Sequence, residues 1–341
     1  MSQAPSDAPD PTARAAERAP LDPPPLIVDG VEINRWDREV LLEARRGGVS
    51  ALHATCAVWE DARETLRALA AWRRRFAEHA DLITPVRGAD DIQRAHDEGR
   101  TGVLLGFQNT SPFEDDIELV ATFRQLDVLC AQLTYNVQNL VGGSCFEPTD
   151  SGLTRFGEAV VAEMNRVGML IDCSHVGEWT TRDAIEASCD PIAVTHANPR
   201  WFCDSPRNKT GETLKALAMR GGVVGCTLYP LFIGGPQVSR ATYCRMIADL
   251  VDEIGVDHVA IGTDLTRGHP DEDLAWLRDG RWRRPDPEQR LSWPTWPAWF
   301  ASAEDFPNLA EGLLDTGLHE AEARQILGEN WLRLLGQVVG P

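Results

Sequence analysis

Short apolar runs alternate with amphipathic stretches along most of the chain. The runs are rich in Val, Ile and Leu and too short for buried helices, which is typical of buried parallel strands. Eight of them can be counted, at residues 26–32, 48–58, 101–108, 128–136, 168–174, 191–197, 222–229 and 258–264. Between them, apolar residues recur at helical spacing with charges on the opposite face, as at 63–78, 156–165, 179–188 and 243–253.

This alternation predicts the fold. Strands that alternate with helices indicate a parallel sheet. Eight strand–helix units favour a closed (β/α)8 TIM barrel over an open doubly wound sheet, and we expect one barrel domain over residues 25–341. No GxGxxG or P-loop motif follows an early strand, which disfavours a nucleotide site.

Two segments depart from the pattern. Residues 1–24 are rich in Pro, Ala and Asp with almost no large apolar side chain, which predicts a disordered arm. Residues 267–299 are rich in Pro and Trp and follow the last strand. A long loop in that place lies at the mouth of a barrel, so we expect it to form a lid.

Charge and cysteine usage narrow the choice of partners. The chain has 52 acidic and 33 basic residues and a net charge of -19, which disfavours nucleic acid and anionic membranes as partners. No apolar run reaches the roughly 18 residues of a membrane span, and no signal-peptide pattern opens the chain. The eight cysteines include no CxxC pair, as in a reducing compartment. We therefore expect a cytoplasmic protein with a small-molecule substrate; a homodimer stays open.

Polar side chains stand where several predicted strands end, which is where barrel enzymes carry their chemistry. They are Glu32, Gln108, Asn109, Tyr135, Asn136, His175, His196, Tyr229 and Asp264. Two imidazoles, amides and a carboxylate at one mouth are typical of a metal-dependent hydrolase, in which a divalent ion activates water. The histidines and Asp264 also have purely structural interpretations. A strand-end histidine can be a hydrogen-bonded core residue, and Asp264 can cap a helix or pair with Arg267.

Three further observations concern the ligand. Arg207 lies in a loop after the His196 strand and could bind a substrate carboxylate through two hydrogen bonds, or be a solvated surface arginine. Cys145 lies in a glycine-rich loop, as a nucleophile or as a packed thiol. The neutral side chains of Gln108, Tyr135 and Asn136 suit a small polar or zwitterionic ligand.

Nine sequence blocks strengthen the hydrolase hypothesis. They are Leu133–Asn136, Asp150–Gly157, Glu163–Gly168, Ile171–His175, Thr195–Asn198, Pro206–Asn208, Gly221–Gly225, Ile261–Asp264 and Gly328–Trp331. In this order they resemble the signature blocks of the membrane (renal-type) dipeptidases, peptidase family M19, over residues 26–335. The resemblance implies a (β/α)8 metallohydrolase of the amidohydrolase type that cleaves dipeptides, often with a C-terminal D-residue, using two zinc ions.

The resemblance also implies roles for individual residues. His175 and His196 would ligate the second metal, Asp264 would be the catalytic acid and base, and Arg207 would hold the substrate carboxylate. Tyr135 stands where the family carries a histidine that contacts the reacting carbonyl, which makes it a catalytic candidate.

The chain departs from the family at the other metal. The family's first strand ends in Asp-Gly-His-x-Asp, whereas Val31 and Ile33 occupy the two ligand places here. Gln108 replaces the bridging glutamate, and a neutral amide is a poor bridge between dications. Glu32 could supply a ligand only through a β-bulge, since a shift by one residue reverses the face. We therefore expect a divergent branch with one zinc ion, or with none.

The leading hypothesis is a hydrolase that cleaves the C–N bond of a dipeptide, N-substituted amino acid or small amide through a metal-activated water. Its metal ligands are His175 and His196, its catalytic residues Asp264 and Tyr135, and its substrate-binding residues Arg207, Gln108, Asn136 and Tyr229. The alternative is an altered or inactive barrel that binds a small zwitterion or a protein partner. A different reaction on the same barrel, such as demethylation, lyase or cyclic-amide chemistry, is a third hypothesis.

Overall fold

The computed structural model of the protein describes residues 21–284, 288 and 290–341. The predicted arm at residues 1–24 therefore lies mostly outside the described residues, and so do residues 285–287 and 289 of the predicted lid. The last residues of the arm are described, and Leu21 packs into the main hydrophobic core.

Parallel strands form a nearly closed barrel. They are β1 Val28–Glu32, β2 Ala51–Ala57, β3 Ile83–Pro85, β4 Thr101–Phe107, β5 Val128–Gln132, β6 Leu170–Asp172, β7 Ala193–Val194, β8 Val223–Cys226 and β9 Val259–Ile261. Their order is β1-β2-β4-β5-β6-β7-β8-β9. Backbone hydrogen bonds from Ile33 to Leu265 and from Asp264 to Val31 join the first and last strands. The predicted (β/α)8 barrel is confirmed.

Helices surround this barrel. They are α1 Arg38–Arg46, α2 Ala62–Glu78, α3 Ala89–Asp97, α4 Glu118–Gln125, α5 Arg155–Val167, α6 Glu178–Ala187, α7 Gly211–Met219, α8 Pro230–Ile233, α9 Arg240–Ile254, α10 Asp271–Asp279, α11 Phe306–Asp315, α12 Glu320–Arg324 and α13 Asn330–Val338. Hydrogen-bonding N-caps start several of them; at α2, Asp61 and Glu64 form a capping box. None of the described helices is long and apolar enough to cross a bilayer.

Strand β3 was not expected from the sequence. It has only three residues, ends in Pro85 and pairs with β4 outside the barrel order. A run this short has no measurable period, and proline is tolerated there because one edge of the strand needs no backbone donor.

The amino end of the barrel is filled by the C-terminal helix. Trp331 of α13 is 2% exposed, and its Nε1 donates to the carbonyl of Ile261 at 2.8 Å. A Cβ on Gly30 or Gly225 would lie 2.7 or 3.0 Å from the indole ring, so glycine makes room for it. Packing thus occupies this end, and the polar strand ends lie at the other.

The predicted lid is not irregular throughout, because helix α10 lies within it. Acidic residues fill the first turn of α10 and Arg278 lies in the last, which matches the helix dipole. Leu274 and Leu277 are buried three residues apart on one face. Trp59 Nε1 donates to the Leu277 carbonyl at 3.3 Å, which ties the helix to the barrel rim.

Candidate active site

A cavity of about 470 Å³ lies at the carboxyl ends of the strands. Its lining residues are Ile33, Gln108, Tyr135, Asn136, Val137, Phe146, His175, Tyr229, Leu231, Phe232, Asp264, Thr266, Leu274, Leu277, Arg278, Asp279, Trp282 and Trp293. Six predicted site residues are among them, and so are members of the predicted lid. The strand-end side chains therefore do converge, under walls that are largely apolar and aromatic.

The two predicted metal ligands meet at the base of this cavity. The Nε2 atoms of His175 and His196 are 3.0 Å apart. His175 lines the cavity, whereas His196 is fully buried behind it. The other hydrogen-bond partners of each ring decide which of its nitrogens carries hydrogen.

The tautomer of His196 is set by the buried carboxylate of Asp172, acting through Thr195. Thr195 Oγ1 donates its hydrogen to Asp172 Oδ2 at 2.7 Å. The same hydroxyl must then accept from His196 Nδ1, which lies 2.8 Å away. Neutral His196 therefore carries its hydrogen on Nδ1 and a lone pair on Nε2.

The tautomer of His175 is set by the Asn136 amide. Asn136 Nδ2 donates to the carbonyl of Arg278 at 3.3 Å, which leaves Asn136 Oδ1 to accept from His175 Nδ1 at 2.8 Å. Both Nε2 atoms thus present lone pairs to each other. Facing lone pairs repel unless a proton or a cation lies between them.

Burial disfavours the proton. The pKa of His175 and the pKa of His196 both lie well below the usual range, because burial and then the nearby Arg207 charge oppose protonation. A divalent cation fits the pair, since neutral imidazole nitrogen is a common ligand of Zn²⁺ and related metals. No third His, Cys, Asp or Glu completes a metal group within the described part of the chain. The donors therefore fit one ion, with positions left for water or substrate, and do not fit two.

The two side chains nearest to the lost ligand positions, Glu32 and Gln108, do not support a second metal. The β1–β2 register shifts between Asp29 and Glu32, so the bulge that a Glu32 ligand requires is present. The Glu32 carboxylate nevertheless accepts from Asn34 Nδ2 at 2.5 Å and lies against Asp29. Burial, reinforced by the Asp29 charge, holds the pKa of Glu32 well above its usual range. Gln108 donates to Thr55 Oγ1 at 2.9 Å.

Asp264 has the properties expected of a proton carrier. It lines the cavity, and burial raises the pKa of Asp264 to about 7. Its backbone φ is +61°, and that of Asn136 is +59°, a strained conformation for residues with a side chain and one that is frequent at functional sites. Its predicted alternative partner, Arg267, donates instead to Glu43 at 2.6 Å.

His196 and Asp264 are positioned in the same way, by a buried aspartate that binds the threonine before each of them. This arrangement was not predicted from the sequence. Asp172 accepts hydrogen bonds from the backbone and hydroxyl of Thr195, the residue before His196. Asp29 accepts them from the backbone and hydroxyl of Thr263, the residue before Asp264. The signal available in the sequence was an aspartate inside an apolar strand, one strand away from each threonine.

Aromatic side chains shape the space around His175. The Tyr135 ring stacks on His175 with centroids 4.1 Å apart and meets Trp59 edge-on at 5.4 Å. Tyr229 lies 5.2 Å from the Phe232 ring. Burial raises the pKa of both tyrosines, so their hydroxyls stay neutral.

Arg207 lies beside the cavity and outside its lining. Its Nη1 and Nη2 donate to the carbonyls of Ser174 and His196, both at 2.7 Å, and its guanidinium stacks on Phe232. Arg207 thereby holds together the two loops that carry the histidines. Its contact with a substrate carboxylate stays a prediction.

His53 and Cys145 also lie near the site. His53 lies on β2, and its Nδ1 contacts the Gly30 carbonyl while its buried Nε2 has no partner among the described residues. It was missed because it stands within a strand and not at its end. Cys145 is 9% exposed, and burial raises its thiol pKa, which favours the packed-thiol interpretation.

Comparison with known proteins connects this site with a family. Residues 37–276 match the family model of the membrane dipeptidases, peptidase family M19. The dipeptidase aclJ of Aspergillus oryzae is 27% identical over 291 residues, which are 82% of this chain and 62% of that protein. The chain thus spans less than two thirds of that relative's length.

Solved structures agree. The amidohydrolase from Pseudomonas aeruginosa is 39% identical with a TM-score of 0.87, and the match covers 93% of this chain and 97% of that one. A metallo peptidase from Rhodobacter sphaeroides, solved with a phosphinate mimic of L-Ala-D-Ala, shares the fold at 20% identity, with a TM-score of 0.76 over 92% and 99% of the two chains. The chain belongs to the membrane dipeptidase family of hydrolases, peptidase family M19.

Proposed function

We propose that this protein hydrolyses the C–N amide bond of a dipeptide or a similarly small amide, with a single divalent ion at His175 and His196. The observation that carries the proposal is the pair of imidazole Nε2 atoms, 3.0 Å apart, at the base of a cavity that Asp264 also lines. Membership of a hydrolase family and the related amidohydrolase support the reaction class.

The protonation state and the contacts of each residue indicate its role in the reaction. When bound, a divalent ion polarises the scissile carbonyl and lowers the pKa of water. Asp264, with a pKa of about 7, accepts a proton from the attacking water and returns it to the leaving amine. The neutral Tyr135 hydroxyl donates a hydrogen bond to the reacting carbonyl. Asn136 keeps hydrogen on His175 Nδ1 and leaves Nε2 free as a ligand.

The cavity supports a small substrate. Its volume of about 470 Å³ is in the range of small-molecule sites, and its few polar groups lie among aromatic walls. Gln108 and Tyr229 would contact the peptide group from the wall, whereas the apolar lid residues exclude water. A free dipeptide, an N-substituted amino acid or another small amide fits these limits.

The test is a panel of dipeptides and N-substituted amino acids assayed with zinc, with manganese and without metal. We expect hydrolysis of at least one substrate, dependent on metal, and about one zinc per chain by elemental analysis. The control is the double variant His175→Ala/His196→Ala, which should lose both metal and activity. Rates equal to this control for every substrate would overturn the proposal, and a chain that stays metal-free in added zinc would favour the ligand-binding barrel.

A further inference from the structure

Helix α10 forms part of the cavity wall, and a histidine attaches its amino end to the barrel rim. Leu274 and Leu277 of the helix line the cavity, and His269 stands two residues before the helix begins. The His269 side chain is 13% exposed. Its Nε2 lies 3.0 Å from the carbonyl oxygen of Ile33, which follows β1, and its Nδ1 lies 2.8 Å from Oδ2 of Asp273 in α10.

These two contacts together identify the charge state of the ring. A backbone carbonyl can only accept, so Nε2 of His269 carries the hydrogen that is donated to Ile33. In a neutral ring the lone pair would then lie on Nδ1 and face the carboxyl oxygen of Asp273. In the charged ring, Nδ1 also carries hydrogen and donates to that oxygen. The arrangement therefore fits the imidazolium, whereas the neutral ring satisfies only one of the two contacts.

The charged groups around His269 support this interpretation. From the connection after β1, Arg35 donates to both oxygens of Asp273, at 3.1 and 3.2 Å. Burial opposes ionisation of Asp273, but hydrogen bonds from His269 and Arg35 hold the pKa of Asp273 below its usual range, so it is an anion at neutral pH. The segment after the helix presents the neutral ring of Trp293, 5.5 Å from the imidazole, and its backbone N–H donates to Asp271. A protonated Asp273 therefore does not supply the hydrogen between the two side chains.

We propose that His269 is a pH-dependent switch that holds the amino end of α10 against the barrel rim when its ring is charged. Histidine is the side chain whose charge ordinarily changes between pH 5 and 8. When the ring loses its Nδ1 hydrogen, attraction to Asp273 is replaced by repulsion between a lone pair and a carboxylate, while the bond to Ile33 can remain. Access to the cavity would then increase with pH, whatever reaction occurs there.

The other end of α10 is held by contacts that do not change with pH. The Leu277 carbonyl accepts from Trp59 Nε1 at 3.3 Å. The Arg278 carbonyl accepts from Asn136 Nδ2 at 3.3 Å. Indole and amide donors carry no titratable charge in this range. The first turns of the helix should therefore move while its last turn stays in place.

Hydrogen–deuterium exchange read by mass spectrometry tests the switch without turnover. Protection of the amides of residues 271–279, corrected for the intrinsic exchange rate at each pH, should fall at least about threefold between pH 6 and pH 8 in the wild type. His269→Gln should show the same protection at both pH values. Asp273→Asn should also remove the pH dependence, because an amide can donate to the neutral ring and accept from the charged one. The matched control is His79→Gln at the end of α2, which should keep the wild-type ratio.

Two results of the exchange experiment would overturn the assignment. One is protection in the wild type that stays constant or rises between pH 6 and pH 8. The other is an equal fall in the wild type and in His269→Gln, because another group that titrates in this range, such as Asp264, would then be the cause. Nitrogen-15 spectra of labelled histidine give an independent readout, with His269→Gln to assign the signals. Both ring nitrogens of His269 should carry hydrogen at pH 6, and a neutral ring at that pH would also refute the switch.

Discussion

Buried threonine hydroxyls help to fix the positions of the residues that follow them, His196 and Asp264. Thr195 and Thr263 each donate to a buried aspartate, but only Thr195 Oγ1 also accepts from a histidine ring. The two threonines therefore have equivalent structural roles and different chemical ones. This difference allows the proposed metal site to be tested separately from stability.

Thr195→Val should lower zinc affinity about 10–100-fold, because His196 loses the acceptor that keeps hydrogen on Nδ1. Thr263→Val is the control: both variants should lose about 1–3 kcal/mol of unfolding free energy, since each leaves a buried aspartate with one partner fewer. Competition with a zinc indicator and urea unfolding measure the two effects. Equal zinc affinity in both variants would contradict this account of the histidine tautomer.

The Asp29–Glu32 pair makes stability depend on pH. Burial raises the pKa of Asp29 to about 6 and that of Glu32 well above its usual range, so the folded state holds protons that the unfolded chain releases near pH 4. The stability that these protons provide is complete below about pH 4 and is lost as pH rises through 6 and above.

Glu32→Gln should therefore raise the unfolding free energy at pH 8 by about 1–3 kcal/mol, because glutamine mimics the protonated acid. At pH 4 the variant and the wild type should unfold at nearly the same urea concentration. The difference between the two proteins at each pH removes the contribution of other titrating groups. A gain of the same size at both pH values would show that ionisation of Glu32 is not the cause.

At the scale of secondary structure, helix α10 of the predicted lid is an addition to the barrel with its own small hydrophobic cluster. Leu277 packs with Val58 and Tyr135, apart from the main hydrophobic core. Lids and loops of this kind open more easily than the elements they cover. The energetics of α10 should therefore separate from those of the barrel.

Leu277→Ala should speed tryptic cleavage of the lid at its arginines and raise KM, with only a small change in the melting temperature. Leu313→Ala in α11, whose side chain is fully buried in the main core, is the opposite control. It should cost about 2–5 kcal/mol of unfolding free energy without selective cleavage of the lid. A large drop in the melting temperature of Leu277→Ala would mean that the predicted lid and the barrel unfold together.

The barrel strands were predictable because each is an apolar run bounded by polar turns. The strand-end rule also brought His175, Asp264 and Tyr135 to one cavity. Arg278 could not be found that way, because it lies on a helix within an insertion whose position depends on tertiary contacts. The same applies to β3, which is too short to show a period.

For the whole molecule, stability and chemistry are placed at opposite ends of the barrel. Trp331 closes the amino end as part of a separate core cluster, and it does not line the cavity. Trp331→Ala should cost about 3–5 kcal/mol of unfolding free energy, since it leaves a large void and removes the hydrogen bond to Ile261. At temperatures where the variant is folded, zinc content should equal that of the wild type, and a metal-free folded variant would refute this separation.

The Asn136 amide touches both the lid backbone and the ring of His175. Opening of α10 would remove the carbonyl that fixes the amide's orientation, and the imidazole would lose its reason to keep one tautomer. If a divalent ion binds His175 as proposed, it would be held less tightly while α10 is displaced. Because linkage is reciprocal, binding of that ion would in turn favour the closed position of α10.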